Sequence, residues 1–278
     1  MRTSTKLFLG ALLLLAICLG FYDWKLGAEY RKGDYTDSYY GYVPLNYRDF
    51  DEIELRSASS VNLMLVQGDF KVLEHPRASR FVVVRQEGKR LIIEAKFLDH
   101  FETVNALQTL FISCPNLSAF SADTKYTVGT VVTTDYENWD PLWLPTVIRG
   151  FDQDSLTIRE EHASNVWLEG DRIRLLSAVS GAGEAGGTGE EGPRGLHMKT
   201  LEGVESGMDP ARSGGPGSDN GPMLLIGQGN HFDSSDLHIL NKGRLWIKGT
   251  DIRQLTYHLA DSATLTVNGV SAHYLNLH

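Results

Sequence analysis

Apolar and polar residues alternate with a period of two along most of this chain. The alternation is clear at Ile53 and Leu55, returns at Leu63 and Leu65, and is interrupted by glycine turns such as the one at Gly88. Short alternating runs separated by glycine turns are typical of half-buried strands. No stretch beyond residue 30 shows a sustained apolar stripe at helical spacing. The pattern predicts an all-β body.

A second repeat, about twenty residues long, overlies the alternation. Each copy has two alternating apolar residues, a glycine corner and a later apolar residue. The copies are Val166, Leu168, Gly170 and Leu176; Leu245, Ile247, Gly249 and Leu255; Leu265, Val267, Gly269 and Leu275; and a looser copy around Gly68. One copy is too short to bury an apolar face alone, so the copies must stack.

This repeat predicts a right-handed parallel β-helix, a solenoid-like stack of short strands preceded by one N-terminal hydrophobic helix. The alternative is a β-sandwich whose hairpins happen to resemble one another.

The N-terminal segment has the layout of an export signal or a membrane anchor. Arg2 and Lys6 precede an uncharged run from Leu7 to Tyr22. As a helix this run spans roughly 24 Å, somewhat less than the roughly 30 Å hydrocarbon core. We interpret residues 1–28 as a signal peptide or signal anchor, with the membrane as partner. The positive-inside rule then places the body outside the cytoplasm, on the periplasmic side of a bacterial envelope.

The way in which this segment is processed stays open. A lipoprotein needs a small residue before the modified cysteine, and Ile17 stands before Cys18. Cleavage after Ala28 and an uncleaved anchor are both compatible with the sequence, and the anchor is favoured.

Composition divides the remainder into three parts. Residues 29–47 are rich in tyrosine, glycine and charge, and are interpreted as a juxtamembrane linker. The β domain then covers 48–278 and is interrupted at 181–222, which holds 13 of the 28 glycines. Such a segment has too little apolar material to offset its ordering entropy. It is expected to be a flexible excursion, or alternatively a loop that orders on a ligand.

Charge and cysteine content exclude several classes of protein. The net charge is −9, and no cluster of Lys and Arg is present to bind a phosphate backbone, so nucleic acid is not an expected partner. The cysteines are Cys18 and Cys114. Only Cys114 lies in the body, so an internal disulfide or a cysteine zinc site is excluded there. Cys114 is expected to be buried.

Several phrases resemble the auto-transporter adhesin "head GIN" domain family. The matching positions are Phe50, Ile53, Leu55, Val61, Leu63, Gln67, Gly68, Leu91 and Ile93, followed by the units HASNVWLEGDRIRLLSAVSGAG and DSATLTVNGVSAHYLNL. The resemblance implies an exported β-solenoid of the bacterial envelope, Bacteroidetes-like, with adhesion as a suggested role and no catalytic residues. The chain departs from the family in its glycine-rich insertion and in the aromatic stretch that contains Trp139, Trp143 and Phe151.

Histidine and carboxylate residues do not form a recognised metal motif. His231 with Asp233 and Asp236 is one candidate set, and His258 with Asp261 is another. His238 and His258 occupy alternate strand positions where an outward polar face is the simpler explanation. We therefore expect no metal site and no cofactor.

The acidic residues Asp152, Asp154, Glu160 and Glu161 raise an enzymatic alternative. A solenoid polysaccharide hydrolase or lyase places clustered acids on one sheet, although a solvated turn is the simpler explanation of these residues. No Gly-x-Ser-x-Gly nucleophile motif is present, and GAGEAGG at Gly181 lacks a strand-to-helix context for binding a nucleotide.

Aromatic residues near the middle of the chain form the candidate ligand surface. Tyr136, Trp139 and Trp143 could stack on sugar rings, or the tryptophans could instead cover an end of the solenoid. The sequence therefore predicts a non-enzymatic, exported envelope protein that presents a β surface to a glycan or an envelope protein. The carbohydrate-active enzyme remains the alternative.

Overall fold

The computed structural model describes residues 3–33, 36–102, 104, 108–136, 145–181 and 221–268. The chain divides into two compact units, Met1–Tyr42 and Val43–His278. The first contains an apolar helix, and the second is built almost entirely of β-strands. The predicted boundaries at residues 28 and 47 stay predictions.

Helix α1 of the first unit spans Thr3–Lys32. Its segment Thr5–Lys32 has a mean hydropathy of 2.0 in its most apolar window and is long enough to cross a membrane, a property that signal sequences share. The helix continues past the predicted boundary at residue 28. It ends where Gly33 adopts a φ of 74°, a left-handed conformation that suits a helix C-terminus.

The described residues of the second unit form nineteen strands and one short 3₁₀ helix at Ala78–Arg80. The strands are β1 Val43–Leu45, β2 Glu52–Leu55, β3 Leu63–Gln67, β4 Lys71–Glu74, β5 Val82–Glu87, β6 Arg90–Phe97, β7 Leu110–Cys114, β8 Ala119–Ala122, β9 Lys125–Val128, β10 Val131–Thr134, β11 Thr146–Arg149, β12 Asp152–Glu160, β13 Asn165–Glu169, β14 Arg172–Ser180, β15 Met223–Ile226, β16 His231–Ile239, β17 Arg244–Lys248, β18 Asp251–Leu259 and β19 Thr264–Asn268.

These strands form two large mixed sheets, neither of which closes on itself. Sheet 1 has the order β1-β4-β7-β3-β11-β13-β15-β17-β19, and sheet 2 has the order β10-β9-β6-β2-β8-β12-β14-β16-β18, with β5 paired to β6. From β11 onward the chain alternates between the sheets. We call each sheet 1 strand together with the sheet 2 strand that follows it a rung, so that β11–β12, β13–β14, β15–β16 and β17–β18 are successive rungs.

Successive rungs pair in parallel and keep the repeat predicted from the sequence in register. Leu245 lies opposite Leu265, and Ile247 lies opposite Val267. Most inward side chains of the strands are apolar and belong to one core that both sheets share. The prediction that equivalent apolar residues of successive copies stack is confirmed for the described part of the chain. Gly269 and Leu275 lie outside the described residues.

Glycine corners join the two strands of a rung. Gly150, Gly170 and Gly249 adopt φ values of 74°, 67° and 65°. Glycine reaches this left-handed region without the steric cost that a side chain incurs. The backbone turns there from sheet 1 into sheet 2, as the repeat predicted at Gly170 and Gly249.

A different corner joins each rung to the next one. It consists of residues 161–164, 240–243 and 260–263, and a backbone hydrogen bond from its fourth N–H to its first carbonyl closes each turn at 2.9–3.4 Å. Between β14 and β15 the chain instead runs from Gly181 to Pro222. The pairing of the strands on either side of this long connection remains parallel.

The repeat identified in the sequence did not include two of the observed rungs. In β11–β12, Thr146 stands where the other copies have an apolar residue, although it pairs in register with Val166. In β15–β16, Leu224 and Ile226 fit the template, but the corner is longer and its left-handed glycine is Gly229. These two copies were not recognised in the sequence because one has a polar residue in place of an apolar one and the other has a longer corner.

The region before β11 departs from the rung pattern. Strands β3 and β4, on either side of Gly68, both lie in sheet 1, so the chain does not cross between sheets there. Gly68 also lacks a left-handed φ, and a Cβ on it would lie 2.6 Å from Ser113 Oγ. At the looser copy the chain therefore reverses direction within sheet 1, and Gly68 allows the close approach of Ser113. The predicted hairpin is observed, with β5 and β6 antiparallel across Gly88.

Candidate ligand-binding groove

A groove of about 530 Å³, lined by both charged and apolar side chains, lies on the outward face of sheet 2, beside the hairpin formed by β9 and β10. Glu54, Ser121 and Arg159 contribute to its floor, while Tyr126 and Val132 of the hairpin contribute to its wall. We call this the hairpin groove. Ligand pockets in proteins commonly enclose about 300–1,000 Å³, so the groove is large enough for a small ligand.

Strand register brings the floor residues together. Ser121 of β8 pairs with Glu54 of β2 on one side and with Arg159 of β12 on the other. Residues that are paired across parallel strands project from the same face and are separated by about 4.8 Å per strand. Three segments that are distant in sequence therefore form one row.

Glu94 is the centre of a charge network at one side of the groove. Arg85 lies 2.7 Å from one carboxylate oxygen, Lys96 lies 2.8 Å from the same oxygen, and Arg56 lies 3.8 Å from the other. Burial opposes ionisation of Glu94, but the contacts with Lys96, Arg85 and Arg56 outweigh it and lower the pKa of the carboxyl. Glu94 is thereby held as a carboxylate with a fixed orientation.

Asp123 is the centre of a second charge network, on the other side of the hairpin groove. Its oxygens lie 2.6 Å from His162 Nδ1 and 2.7 Å from Lys125 Nζ, and the Thr124 N–H donates to it at 2.7 Å. Burial opposes ionisation, but the hydrogen bonds from His162, Lys125 and Thr124 dominate and lower the pKa of Asp123 to about 2. This carboxylate is charged at every physiological pH.

His162 is held in an unfavourable backbone conformation beside this carboxylate. Its φ is 55°, in the left-handed region that non-glycine residues rarely adopt. Such strain persists only where the surroundings determine the conformation, and it is frequent at functional sites. The contact with Asp123 and the edge-on packing of Tyr136, with ring centroids 5.0 Å apart, surround the imidazole.

Tyr136 is the member of the predicted aromatic surface that the structure describes. Its side chain is 68% exposed, and it contacts His162 at the margin of the hairpin groove. Trp139 and Trp143 lie outside the described residues, so the full aromatic surface stays a prediction. Phe151, which belongs to the same stretch of sequence, is completely buried in the core.

The four acidic residues that suggested an enzyme lie at opposite ends of β12: Asp152 and Asp154 line a second groove at its start, whereas Glu160 and Glu161 lie at its end. Asp154 is 84% exposed at its side chain and pairs with Arg174 at 3.1 Å. Glu160 is fully buried in the core, and Glu161 pairs with Arg159 at 2.8 Å. Asp154 and Glu160 are six residues apart on one strand, roughly 20 Å, whereas paired glycosidase carboxyls lie roughly 5–9.5 Å apart.

Ion pairs between neighbouring rungs explain the acids at the start of β12. Asp154 pairs with Arg174 on the next rung, and Asp233 pairs with Arg253 at 2.9 Å in the same way. Cross-strand pairs of opposite charge stabilise a sheet, each by roughly 0.2–1 kcal/mol. These exposed carboxylates serve the stacking of the strands.

The predicted histidine sets are rearranged in the structure. His231 Nδ1 pairs with Asp251 at 2.7 Å, and its Nε2 lies 3.8 Å from Asp233. Asp236 lies instead beside His238, and His258 stacks on His238 from the neighbouring strand. Sequence spacing alone had joined Asp236 to His231 because it did not reveal which residues share a row.

Sequence reasoning missed an apolar row on the outward face of sheet 1. Trp167, Leu225 and Trp246 are paired in register across β13, β15 and β17. These residues alternate with the inward apolar residues, which is a signal that the sequence contains. The row was missed because the repeat was defined by the inward residues alone. Among the described residues, neither indole nitrogen finds a hydrogen-bond acceptor, although both are inaccessible to solvent.

The hairpin groove has the chemistry of a site for a polar ligand. Its lining presents guanidinium, ammonium, carboxylate and hydroxyl groups within one concave surface, with the Tyr126 ring at one wall. These groups can donate and accept hydrogen bonds at fixed positions. Half of the lining residues are charged, and apolar side chains such as Leu55 and Val132 lie between them.

Comparisons with known proteins find only low similarity to this chain. No family model matches the chain, and no curated protein matches it. Similar solved structures include a "putative adhesin" from Bacteroides fragilis, 11% identical with a TM-score of 0.32, which covers 82% of this chain and 96% of that chain.

A second "putative adhesin", from Parabacteroides distasonis, is 10% identical with a TM-score of 0.28 over 81% of this chain and 95% of its own. A "putative lipid binding protein" from the same species is 11% identical with a TM-score of 0.26, covering 82% and 96%. At this similarity the names of these proteins carry no argument about the ligand of this chain.

Proposed function

We propose that this protein is a non-enzymatic, exported envelope protein that binds a polar ligand, a glycan or the surface of an envelope protein, in the hairpin groove. The observation that carries the proposal is the groove itself, about 530 Å³ with side chains of both charges held in fixed positions. Helix α1 would attach the body to the membrane or direct its export, since its most apolar window has a mean hydropathy of 2.0. The body would then lie on the periplasmic side.

The finer architecture that we propose is a right-handed parallel β-solenoid over 48–278, related to the head GIN domain. Parallel pairing at each step from β11 to β19 supports it, as does the alternation of the chain between two sheets. The right hand follows the general rule for parallel crossover connections. The antiparallel pairs at β1–β4 and β5–β6 would form its N-terminal end.

A rigid frame supports binding without catalysis. The charged groups of the groove belong to strands and short corners of a hydrogen-bonded sheet, and Glu94, Asp123 and Glu161 each pair with a basic residue. Such groups are pre-oriented, so a ligand would lose little affinity to side-chain ordering. The aromatic surface at Tyr136, Trp139 and Trp143 is proposed to extend this ligand surface.

The experiment is a binding screen with matched arginine variants of the full-length protein, purified in detergent. Envelope glycans and polysaccharides are immobilised, and the dissociation constant is measured for every ligand retained. Arg159→Ala removes a groove residue, and we expect it to weaken binding at least tenfold. Arg174→Ala is the control, because both side chains are 68% exposed on adjacent strands and Arg174 lies outside the hairpin groove.

Three results would contradict the proposal. Equal affinities for the two variants would show that the ligand does not bind in the hairpin groove. The absence of binding to any glycan or envelope protein extract would show that the proposed binding function is wrong. Release of reducing sugars from a polysaccharide, lost in Asp152→Asn or Asp154→Asn, would establish the carbohydrate-active enzyme instead.

A further inference from the structure

Two histidines and an aspartate meet on the outward face of sheet 2, away from the hairpin groove. Asp236 and His238 are two residues apart in β16 and therefore project from the same face. His258 of β18 lies opposite His238 in the parallel register. The three side chains come from two adjacent rungs of a hydrogen-bonded sheet, so their backbone positions are fixed.

The ligand atoms of these side chains are close together. Asp236 Oδ1 lies 3.3 Å from His238 Nε2, and the imidazoles of His238 and His258 are stacked with centroids 4.5 Å apart and an interplanar angle of 27°. One atom from each residue lies within 4.8 Å of the others. In a tetrahedral Zn²⁺ site, bond lengths of about 2.0–2.2 Å place ligand atoms roughly 3.3 Å apart. Rotation of the two stacked imidazoles, so that one nitrogen of each points toward the Asp236 carboxylate, would bring all three onto one ion.

The charges around this cluster favour a cation. Asp236 forms no ion pair with Lys or Arg among the described residues, and its recorded charged contact is with His238. Its in-register neighbours are Ser177 and Thr256, which are uncharged. The second group with suitable ligand atoms, Asp123 with Glu161 and His162, differs because Lys125 and Arg159 already neutralise its carboxylates.

From this arrangement the geometry points to a surface site for a divalent transition-metal ion, held by Asp236, His238 and His258 with the remaining positions open to water or a ligand. Two imidazoles and a carboxylate suit Zn²⁺, Ni²⁺ and Cu²⁺, whereas Mg²⁺ and Ca²⁺ prefer oxygen ligands. The ion would bridge two neighbouring rungs. The site is independent of the proposed ligand groove, since it shares no residue with it.

The test is Zn²⁺ binding to the full-length protein in detergent, prepared without a polyhistidine tag and measured by competition with a fluorescent zinc indicator at pH 7.5. We expect one ion to bind with a dissociation constant in the micromolar range or below. His238→Ala and His258→Ala should each weaken this binding at least tenfold, while Mg²⁺ and Ca²⁺ should not compete. Substitution with Co²⁺ should give visible absorption bands that both variants lose.

The matched control is His231→Ala, which removes a histidine from the same face of sheet 2 that pairs with Asp251. This variant should retain the ion and the cobalt spectrum. Far-UV circular dichroism establishes that each variant is folded, and His258→Asn provides a second, conservative variant. Absence of Zn²⁺ binding to the wild type, or equal binding by the wild type and both histidine variants, would overturn the site.

Discussion

Glu160 offers a sharp test of how the core is built, because it is a carboxyl group with no exposed surface. It lies at the end of β12, in register with Ser180 of the next rung. Burial raises its pKa from 4.5 to about 8, against the opposing influence of Ser180, the Val166 N–H and Arg244. The folded protein therefore holds Glu160 as a neutral acid at physiological pH.

The sign of the effect on stability follows from proton binding. Between pH 4.5 and pH 8 the folded state keeps the Glu160 proton, whereas the unfolded chain loses it. Stability is thus fully present below pH 4.5 and falls as the pH rises toward 8. One pKa unit corresponds to about 1.36 kcal/mol, so the free energy of unfolding should drop by on the order of 3 kcal/mol between pH 5 and pH 8 through this group.

The variant Glu160→Gln keeps the shape of the neutral acid and removes its titration. We expect Glu160→Gln to be more stable than the wild type at pH 8 by on the order of 3 kcal/mol and nearly equal to it at pH 5. Urea unfolding of the full-length protein in detergent, followed by circular dichroism at half-unit pH steps, measures the difference. Glu161→Gln is the control, since that carboxylate lies outside the core and pairs with Arg159.

Two outcomes would refute this reasoning about Glu160. If Glu160→Gln is less stable than the wild type at pH 8, the carboxyl is ionised in the folded protein and contributes through a charge interaction. If Glu161→Gln shows the same gain, the effect arises from the net charge of the protein and does not depend on burial.

Further predictions concern other positions in the rungs. Burial raises the pKa of Asp171 from 3.8 to about 7, so Asp171→Asn should raise the midpoint of urea unfolding clearly at pH 8 and little at pH 4; a loss at both values would contradict this. Gly170→Ala should cost about 1–2 kcal/mol through its φ of 67° alone, because the space around it is open. Gly243→Ala should cost more, since its Cβ would lie 2.5 Å from the Ser180 carbonyl, and equal losses of unfolding free energy would disprove the distinction. Burial raises the pKa of Cys114 to about 12, so a thiol reagent at pH 8 should label it only after denaturation; labelling of the folded protein would show that its strand opens.

The sequence predicted the repeating part of the fold better than its beginning. The stacking of Leu245 on Leu265 could be predicted because the alternation of apolar residues and the fixed length of the corner are both visible in the sequence. Gly68 was misleading, since a glycine can serve a left-handed turn or a close approach, and these uses look alike in one sequence. Which use applies depends on Ser113, a residue far along the chain.

The candidate site was less predictable than the fold. Tyr136 was singled out for its aromatic neighbours, but the groove beside it includes charged residues such as Glu94 and Asp123, which look like ordinary surface residues in the sequence. Their proximity depends on strand order, in which β8 lies between β2 and β12. No local pattern records that order. The same applies to His238 and His258, whose contact requires the parallel register of β16 with β18.

The connection between Gly181 and Pro222 also bears on what sets the register of the rungs. The strands on either side pair as they do across the short corners, so the sheets set where both ends of the connection must be, whatever its length. Parallel pairing of successive rungs in this protein therefore does not require the four-residue corner found at the other steps, because the register of β13 with β15 and of β14 with β16 is kept across a connection roughly ten times as long.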